Sequence, residues 1–450
     1  MHQKLLFEQH PSLLPKIFSN TDIGELYQAI PWQEMADLVP PPSHEVSGLG
    51  RKPWFDVRGG IALQFLKHYL QKLIERINTD WCLQYFCGIL LKPGEIIRDK
   101  DLPNYWRGYI GKHLDIAKWQ KAMAGKWKQY ISQTQSSMQD ATCYESRIAF
   151  PTDVKLVWQS CSEVYELTQK LRNKHNQRIS RANHDLRKKE YLSYQKTKKK
   201  THKAEKKLRS KLLKYLQRLI KLHHGFCTKR KITLSHSKSK RLITIGEVYE
   251  QQMKKLHGEQ IENRIVNIHK EYIRPIIRGK ETKTVEFGAK VNKLQVDGIN
   301  FIEHLSYEAF NEGTRLQKGI RLHHDLFGKC KQFSGDAIYA TNSNRTYLKQ
   351  KGIVHNFKPK GRQKSQHVAQ NKLMATLLNK ERGTKLEGSF GNEKNHYFLS
   401  KVKARNRYTE TCWIFFGIHT ANAVNIGNRI ASKQSNKSNP PPQRELRLVA

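Results

Sequence analysis

Three acidic residues of this chain occur in local settings that suggest chemistry. Asp140 lies in the run SSMQDATCY, Asp336 in FSGDAIYA and Glu387 in KLEGSFG. Carboxylate oxygens are the ligands that Mg²⁺ prefers, and phosphoryl-transfer sites commonly hold two divalent ions roughly 3.5–4 Å apart. Three carboxylates can hold two such ions and leave room for a phosphate and a nucleophile. We therefore expect these acids to bind two Mg²⁺ or Mn²⁺ ions.

With 39 Asp and Glu residues in the chain, only the local setting separates a functional acid from a surface acid. Asp140 lies in a predicted strand, where an unpaired buried carboxylate would be costly. Gly388 and Gly391 follow Glu387. Because glycine weakens an exposed helix, its presence here suggests another requirement, such as the close approach of another group. A helix in this segment would place on one face Glu387, Gly391, Lys394 and Phe398. The alternative interpretation is a solvated helix with surface ion pairs.

The elements around these acids predict a mixed sheet flanked by helices. Residues 137–144 read as a strand, and Thr152 with Asp153 can cap a helix that begins at Val154. The pair Asp297-Gly298 between extended apolar runs predicts a hairpin. The remaining predictions are strands over 331–338 and 353–357 and helices over 307–325, 342–350 and 367–402, the last broken at Gly383. In an α/β fold, acids at strand ends would collect at one edge.

The charge of the chain points to nucleic acid as a partner. It has 81 Lys and Arg residues against 39 Asp and Glu, a net charge of +42. Residues 170–241 hold 26 basic and three acidic residues, so that this segment alone carries +23. A stripe of leucines between Leu208 and Leu222 indicates a helical pair, with a turn predicted near Gly225 and 235–239. Such a helix favours contact with a phosphate backbone, and the alternative is a solvated coiled coil.

The first 130 residues are predicted to be helical, and six tryptophans in them are more typical of a core than of DNA contacts. Seven scattered cysteines without paired CxxC units indicate reduced intracellular thiols. The first ten residues lack the apolar run of a signal peptide. Because no stretch approaches 18 apolar residues, we expect a cytoplasmic protein that does not contact membrane; the apolar segment 413–426 is predicted to be a buried helix or strand.

Three blocks resemble the bacterial insertion-sequence transposases of the DDE type, which have an RNase H-like catalytic core. The likeness runs from about residue 30 to residue 430 and includes IPW at 30–32 and the segment 102–107. The first block is QDAT at 139–142 with IAFPTD at 148–153, and the second is SGDAIY at 334–339 with Asn344-Arg345 and PKGR at 359–362. The third is LEGSFG at 386–391, where Lys394 completes the pattern E-x6-K.

The resemblance implies roles for individual residues. Asp140, Asp336 and Glu387 would be the catalytic metal ligands, and Lys394 would contact DNA phosphate near the cleaved end. Further DNA contacts would come from Arg345, Lys360, Arg362 and Arg382. The sequence departs from the family pattern in one respect. Tyr and Arg residues that many relatives carry seven and four positions before the glutamate are here Lys380 and Gly383.

The resemblance also implies an organisation. A helical N-terminal DNA-binding domain (1–130) would precede the first part of the catalytic core (131–153), a basic helical insertion (154–280), the rest of the core (281–430) and a disordered tail (431–450). The protein would bind the terminal inverted repeats of its element, hydrolyse the 3′ ends and join them to target DNA. We expect a homodimer on DNA, in the cytoplasm of a bacterium and associated with its nucleoid.

Three other functions remain open at this point. A metal-dependent nuclease would cleave DNA without joining the ends. A catalytically inactive relative would only bind DNA, although the presence of all three acids weighs against it. A structural RNA-binding protein would explain the charge but not the three blocks.

Overall fold

The computed structural model describes residues 13–42, 53–178, 183–277, 284–361 and 365–438. Within these ranges six strands form one mixed sheet: β1 (Ser136–Glu145), β2 (Pro275–Ile277), β3 (Val285–Val296), β4 (Ile299–Ser306), β5 (Gln332–Gly335) and β6 (Val354–His355). β1 lies in the middle, antiparallel to β3 and parallel to β5, and β5 is parallel to β6. β3 also pairs antiparallel with β2 and β4. The predicted α/β class with a mixed sheet is confirmed.

The hairpin between β3 and β4 forms where the Asp-Gly pair predicted it. Asp297 and Gly298 both have positive φ angles, 47° and 80°. Two such residues in succession match the twist of the flanking strands, which is why Asp-Gly is favoured here. The Asp297 side chain holds the turn in place, because it accepts hydrogen bonds from the Ser132 amide and from Arg429 at 3.1 Å each.

In the described part of the chain before β1, eight α-helices form: α1 (Leu13–Ser19), α2 (Asp22–Ala29), α3 (Trp32–Ala36), α4 (Val57–Tyr69), α5 (Leu73–Ile77), α6 (Trp81–Phe86), α7 (Leu102–His113) and α8 (Ile116–Trp127). The basic insertion contains α9 (Asp153–Lys174), α10 (His184–Lys196), α11 (His202–Lys229) and α12 (His236–Leu256). The rest of the chain forms α13 (Leu316–Phe327), α14 (Asn342–Gln350), α15 (Ser365–Glu381), a π-helix (Arg382–Glu387), α16 (Gly388–His396) and α17 (Arg407–Ser438).

The N-terminal helices share one hydrophobic core with the sheet and with α17. Trp119 packs edge-on against Phe415, and Phe65 packs edge-on against Phe416, with ring centroids 5.7 and 5.1 Å apart. The same cluster continues into the sheet through Phe301. The tryptophans of this layer are therefore core residues, as their pattern indicated, and the segment 413–426 is the predicted buried helix. No helix in the described ranges has both the length and the apolar character that crossing a bilayer requires.

The insertion has a second core of its own. The leucine stripe of α11, including Leu212 and Leu216, is buried against α9 and α12. Thr152 caps α9, accepting a hydrogen bond from the amide of Lys155 as predicted. The insertion has more helices than the predicted pair. The turn expected at Gly225 is absent, because α11 continues to Lys229 and the chain reverses only before Ser235.

Several predicted boundaries are wrong, for local reasons. The helix expected over 307–325 begins at Leu316 after a 3-10 turn, and the strand expected to reach Ile338 ends at Gly335, because Asp336 caps a second 3-10 turn. The strand predicted over 353–357 is only two residues long. The expected tail begins too early, since α17 extends to Ser438; residues 439–450 lie outside the described part of the chain. The break at Gly383 is a π-helix within a continuous helical segment.

Candidate active site

The sheet brings two of the predicted acids side by side. Gln139 of β1 pairs in parallel with Gly335 of β5, so the next residue of each chain segment, Asp140 and Asp336, emerges at the same level. Asp336 follows directly after β5, is exposed and accepts a hydrogen bond from the amide of Ala337 at 2.7 Å. Asp336 therefore lies at a strand end, as predicted, whereas Asp140 lies in the middle of β1, which continues to Glu145.

Arg382 connects the third acid to this pair. Its guanidinium donates from Nη1 to Asp140 Oδ2 at 3.2 Å and from Nη2 to Glu387 Oε1 at 3.0 Å. Residues five apart would lie about 140° apart around an α-helix. The π-helix, with its i→i+5 hydrogen bonds, brings Arg382 and Glu387 to the same side. One cation therefore binds two of the three predicted ligands.

The setting of Asp140 perturbs its acidity. Burial of the carboxyl raises the pKa of Asp140 to about 6, although the hydrogen bond from the amide of Ala141 lowers it. The negative charges of Glu312 and Asp336 also contribute to this raised pKa, and the Arg382 guanidinium opposes it. A half-buried carboxyl surrounded by other carboxylates favours the approach of a cation.

Glu312 is a fourth acid at this site and is not among the acids predicted from the sequence. It lies on the 3-10 turn before α13, and its Oε1 accepts from Lys290 Nζ at 2.8 Å. Burial first, and then the charges of Glu312 and Asp140, raise the pKa of the Tyr339 hydroxyl well above its ordinary value. Glu312 therefore contributes negative charge to the same region as Asp140.

Gly313, the residue after Glu312, lies where this turn packs closely against its neighbour. A Cβ at Gly313 would lie 2.5 Å from the carbonyl oxygen of Ile338, so this turn packs directly on the one that follows Asp336. Asn344, part of the second block, joins the two turns by donating to the carbonyls of Gly313 and Tyr339 at 2.7 and 2.8 Å.

Lys394 contacts the same face of β1 as Arg382. Its Nζ donates to Thr142 Oγ1 at 3.0 Å, and Thr142, two residues from Asp140, faces the same side of the strand. Glu387 and Lys394 thus point to one surface, as the E-x6-K spacing predicted. Phe398 does not belong to this face, because α16 ends at His396.

A buried ion pair anchors α16 to the sheet behind the acids. Lys293 of β3 pairs in register with Asp140, and its Nζ lies 2.7 Å from Glu393 Oε1; both side chains are fully buried. Asn300 also donates to Glu393 at 2.8 Å, as does the Tyr144 hydroxyl. This network fixes the position of the helix that follows Glu387.

The other predicted DNA contacts lie near the acids along the chain but do not form part of their cluster. Arg345 donates to the carbonyl of Ala340 at 3.1 Å and stacks over Phe357, and Lys360 is exposed and donates to Asn342 at 2.6 Å. Arg362 lies outside the described residues. The role of these residues and of Arg382 at DNA stays a prediction.

The acids fit a divalent cation in kind and in charge. The donors are carboxylate oxygens, and Asp140 and Glu387 both pair with the cationic side chain of Arg382. In the described ranges, no three His, Cys, Asp or Glu side chains converge closely enough to hold a metal ion.

Comparisons of the chain with protein-family models, with curated proteins and with solved structures give no match. The candidate function therefore depends on the residues and the geometry described above.

Proposed function

We propose that the protein is a DNA transposase of an insertion sequence, a metal-dependent enzyme that hydrolyses and transfers DNA strands. The observation that supports this proposal most is the cluster of carboxylates on adjacent parallel strands. Asp140 and Asp336 are neighbours through strand pairing, and Arg382 joins Asp140 to Glu387. These are the three acids that the resemblance implies as ligands.

The sheet would be the RNase H-like core that the resemblance implies. Three antiparallel strands (β4, β3 and β1) are followed across the sheet by two parallel strands (β5 and β6), with the first acid on the central strand. The first acid lies within β1, and the second follows directly after the neighbouring parallel strand β5. The third comes from a helix packed on the face of β1 that bears Asp140.

The proposal gives individual residues the following roles. Asp140, Asp336 and Glu387 would hold two Mg²⁺ or Mn²⁺ ions, which when bound supply Lewis-acid activation of a water or 3′-hydroxyl and stabilise the leaving oxygen. Lys394 would position a DNA phosphate beside the acids, since it reaches the same strand face. The buried pair of Lys293 and Glu393 would hold α16, and with it Glu387, at a fixed distance from the sheet.

The partners follow from the same proposal. The protein would bind the terminal inverted repeats of its element and target DNA, and it would act as a homodimer because two ends are joined together. Arg345, Lys360, Arg362 and Arg382 would contact phosphates around the acids. The N-terminal helices would supply recognition of the repeats, and the protein would work in the bacterial cytoplasm at the nucleoid.

The test is strand transfer with the full-length protein. A labelled duplex bearing the flanking terminal repeat is incubated with Mg²⁺ and target DNA, and 3′ cleavage and joined products are separated on a gel. Asp336→Asn should abolish both products because it removes one metal ligand. Asp325→Asn serves as the matched control, since Asp325 is an exposed acid of α13 that is 73% accessible.

The alternatives give different products. Cleavage without joined product would indicate a nuclease, and binding without cleavage would indicate an inactive relative. Activity that persists in Asp336→Asn would refute the assignment of the site.

A further inference from the structure

The exposed face of α11 carries a continuous row of positive charge. Six basic residues recur at intervals of three or four residues, and all are exposed; we call them the basic face: Lys203, Lys207, Lys211, Lys214, Arg218 and Lys221. At 1.5 Å per residue, the row is about 27 Å long. The opposite side of α11 is the buried leucine stripe, so the helix cannot rotate to distribute these charges elsewhere.

The charges of the basic face have few partners within the protein. Lys211 lies 3.2 Å from Glu190 of α10. The one acid of α11, Glu205, pairs instead with the buried Arg209. No described acidic side chain forms an ion pair with the other five basic residues of the face. Like charges held three or four residues apart repel one another, and an external anion would relieve this repulsion.

Other basic residues of the insertion pair with acids. Arg241 of α12 pairs with Glu163 at 2.8 Å, and Lys240 pairs with Glu271. Lys255 and Arg264 share Asp153. The row on α11 differs from them, because only one of its six basic residues forms an ion pair with a described acid.

We propose that the basic face of α11 binds the phosphate backbone of duplex DNA without reading its sequence. A straight row of cations on a rigid helix suits the regular phosphates of a duplex. The exposed residues of α11 between Lys203 and Lys221 include no aromatic side chain on which unpaired bases could stack, and no large apolar side chain for insertion into a lipid surface. The inference deepens the proposed function by giving its DNA partner a second, non-catalytic contact surface.

The test measures how the affinity of the full-length protein for DNA depends on salt. The probe is a labelled 30-base-pair duplex of arbitrary sequence in EDTA, so that binding is observed without cleavage. The variant Lys207→Gln/Lys214→Gln/Lys221→Gln removes three charges spaced seven residues apart. If each lysine contacts one phosphate, the slope of log K against log salt should fall in magnitude by about 2.7. The affinity at 0.15 M salt should fall on the order of 100-fold.

The control removes the same charge from α12, outside the basic face. Lys238→Gln/Lys240→Gln/Lys254→Gln alters three exposed lysines of α12 and should leave the slope close to that of the unchanged protein. Equal losses in both variants would show a general effect of net charge and would overturn the proposal. So would an unchanged slope in the α11 variant, or tighter binding of RNA or single-stranded DNA through these lysines. Circular dichroism confirms that each variant is folded.

The result is independent of the catalytic proposal. Loss of binding in the α11 variant, in a protein that cleaves no DNA, would support the surface and refute the enzyme. If the protein cleaves DNA and the α11 variant binds DNA normally, the enzyme would be supported and the proposed surface would be refuted.

Discussion

Replacing Arg382 with glutamine should strengthen binding of divalent ions. Its guanidinium contacts Asp140 and Glu387, and a metal ion must displace these contacts before it can bind both carboxylates. The Asp140 contact is largely buried and contributes about 1.5 kcal/mol as a charge-assisted hydrogen bond. The Glu387 side chain is 52% exposed, so solvent reduces its pair to about 0.5 kcal/mol or less. The sum of about 1.5 to 2 kcal/mol predicts a Kd about ten- to thirtyfold lower.

The assay is calorimetric titration of the protein with Mn²⁺ at pH 8. The pH matters because Arg382 lowers the pKa of Asp140, which burial raises to about 6. Without Arg382 this pKa rises further, and protons then compete with the metal at lower pH. The gain in affinity should therefore be complete at pH 8 and should diminish toward pH 6.

Lys380→Gln is the matched control. It removes one positive charge from the exposed surface of α15, two residues before Arg382, and should change Mn²⁺ affinity little. An Arg382→Gln protein that binds Mn²⁺ no more tightly than the Lys380→Gln protein would refute the reasoning. It would mean that the guanidinium does not compete with the ion.

Three further predictions concern stability and are measured by urea denaturation. Glu393→Gln should cost about 3 to 5 kcal/mol, because it leaves the fully buried Lys293 ammonium without a countercharge; a loss below 1 kcal/mol would contradict this. Asp153→Asn should cost about 3 kcal/mol at pH 7. Burial raises the Asp153 pKa, but hydrogen bonds from its partners and nearby positive charges lower it overall. The stabilisation is therefore present above the ordinary Asp pKa of about 4 and is lost as pH falls through the lower native value; a cost independent of pH would argue against it. Gly298→Ala should lower the free energy of unfolding by about 1 kcal/mol, because the φ of Gly298 is 80° and a residue with a Cβ is strained there. An unchanged free energy of unfolding would contradict this expectation.

Local chemistry explains which parts of the fold could be predicted. The Asp-Gly pair specifies a turn by its own backbone preferences, and Thr152 can cap a helix wherever a helix follows. The strand of Asp140 was predicted over residues 137–144, and β1 contains all of them. These signals depend on residues close in sequence, and the structure confirms each of them.

The features of the fold and of the site that were not predicted depend on residues far apart in sequence. The packing of α17 against the N-terminal helices joins Phe65 to Phe416, and no local pattern encodes such a pairing. Glu312 was overlooked for the same reason, since it approaches Asp140 only after the turns before α13 and after β5 have packed together. The contact of Arg382 with Glu387 requires a π-helix, which an α-helical period does not predict.

Anchoring of the insertion connects the two proposed DNA surfaces. The chain leaves the sheet at Ser146 and returns through Lys270, and both side chains bind the same buried carboxylate, Glu410 of α17. Asp153, at the start of α9, in turn binds Arg264 from the returning segment at 2.8 Å. Because both junctions of the insertion are fixed to the core in this way, α11 does not hang on a free linker. A duplex bound to the basic face would therefore be held in a defined position relative to Asp140, which a flexible tether could not achieve.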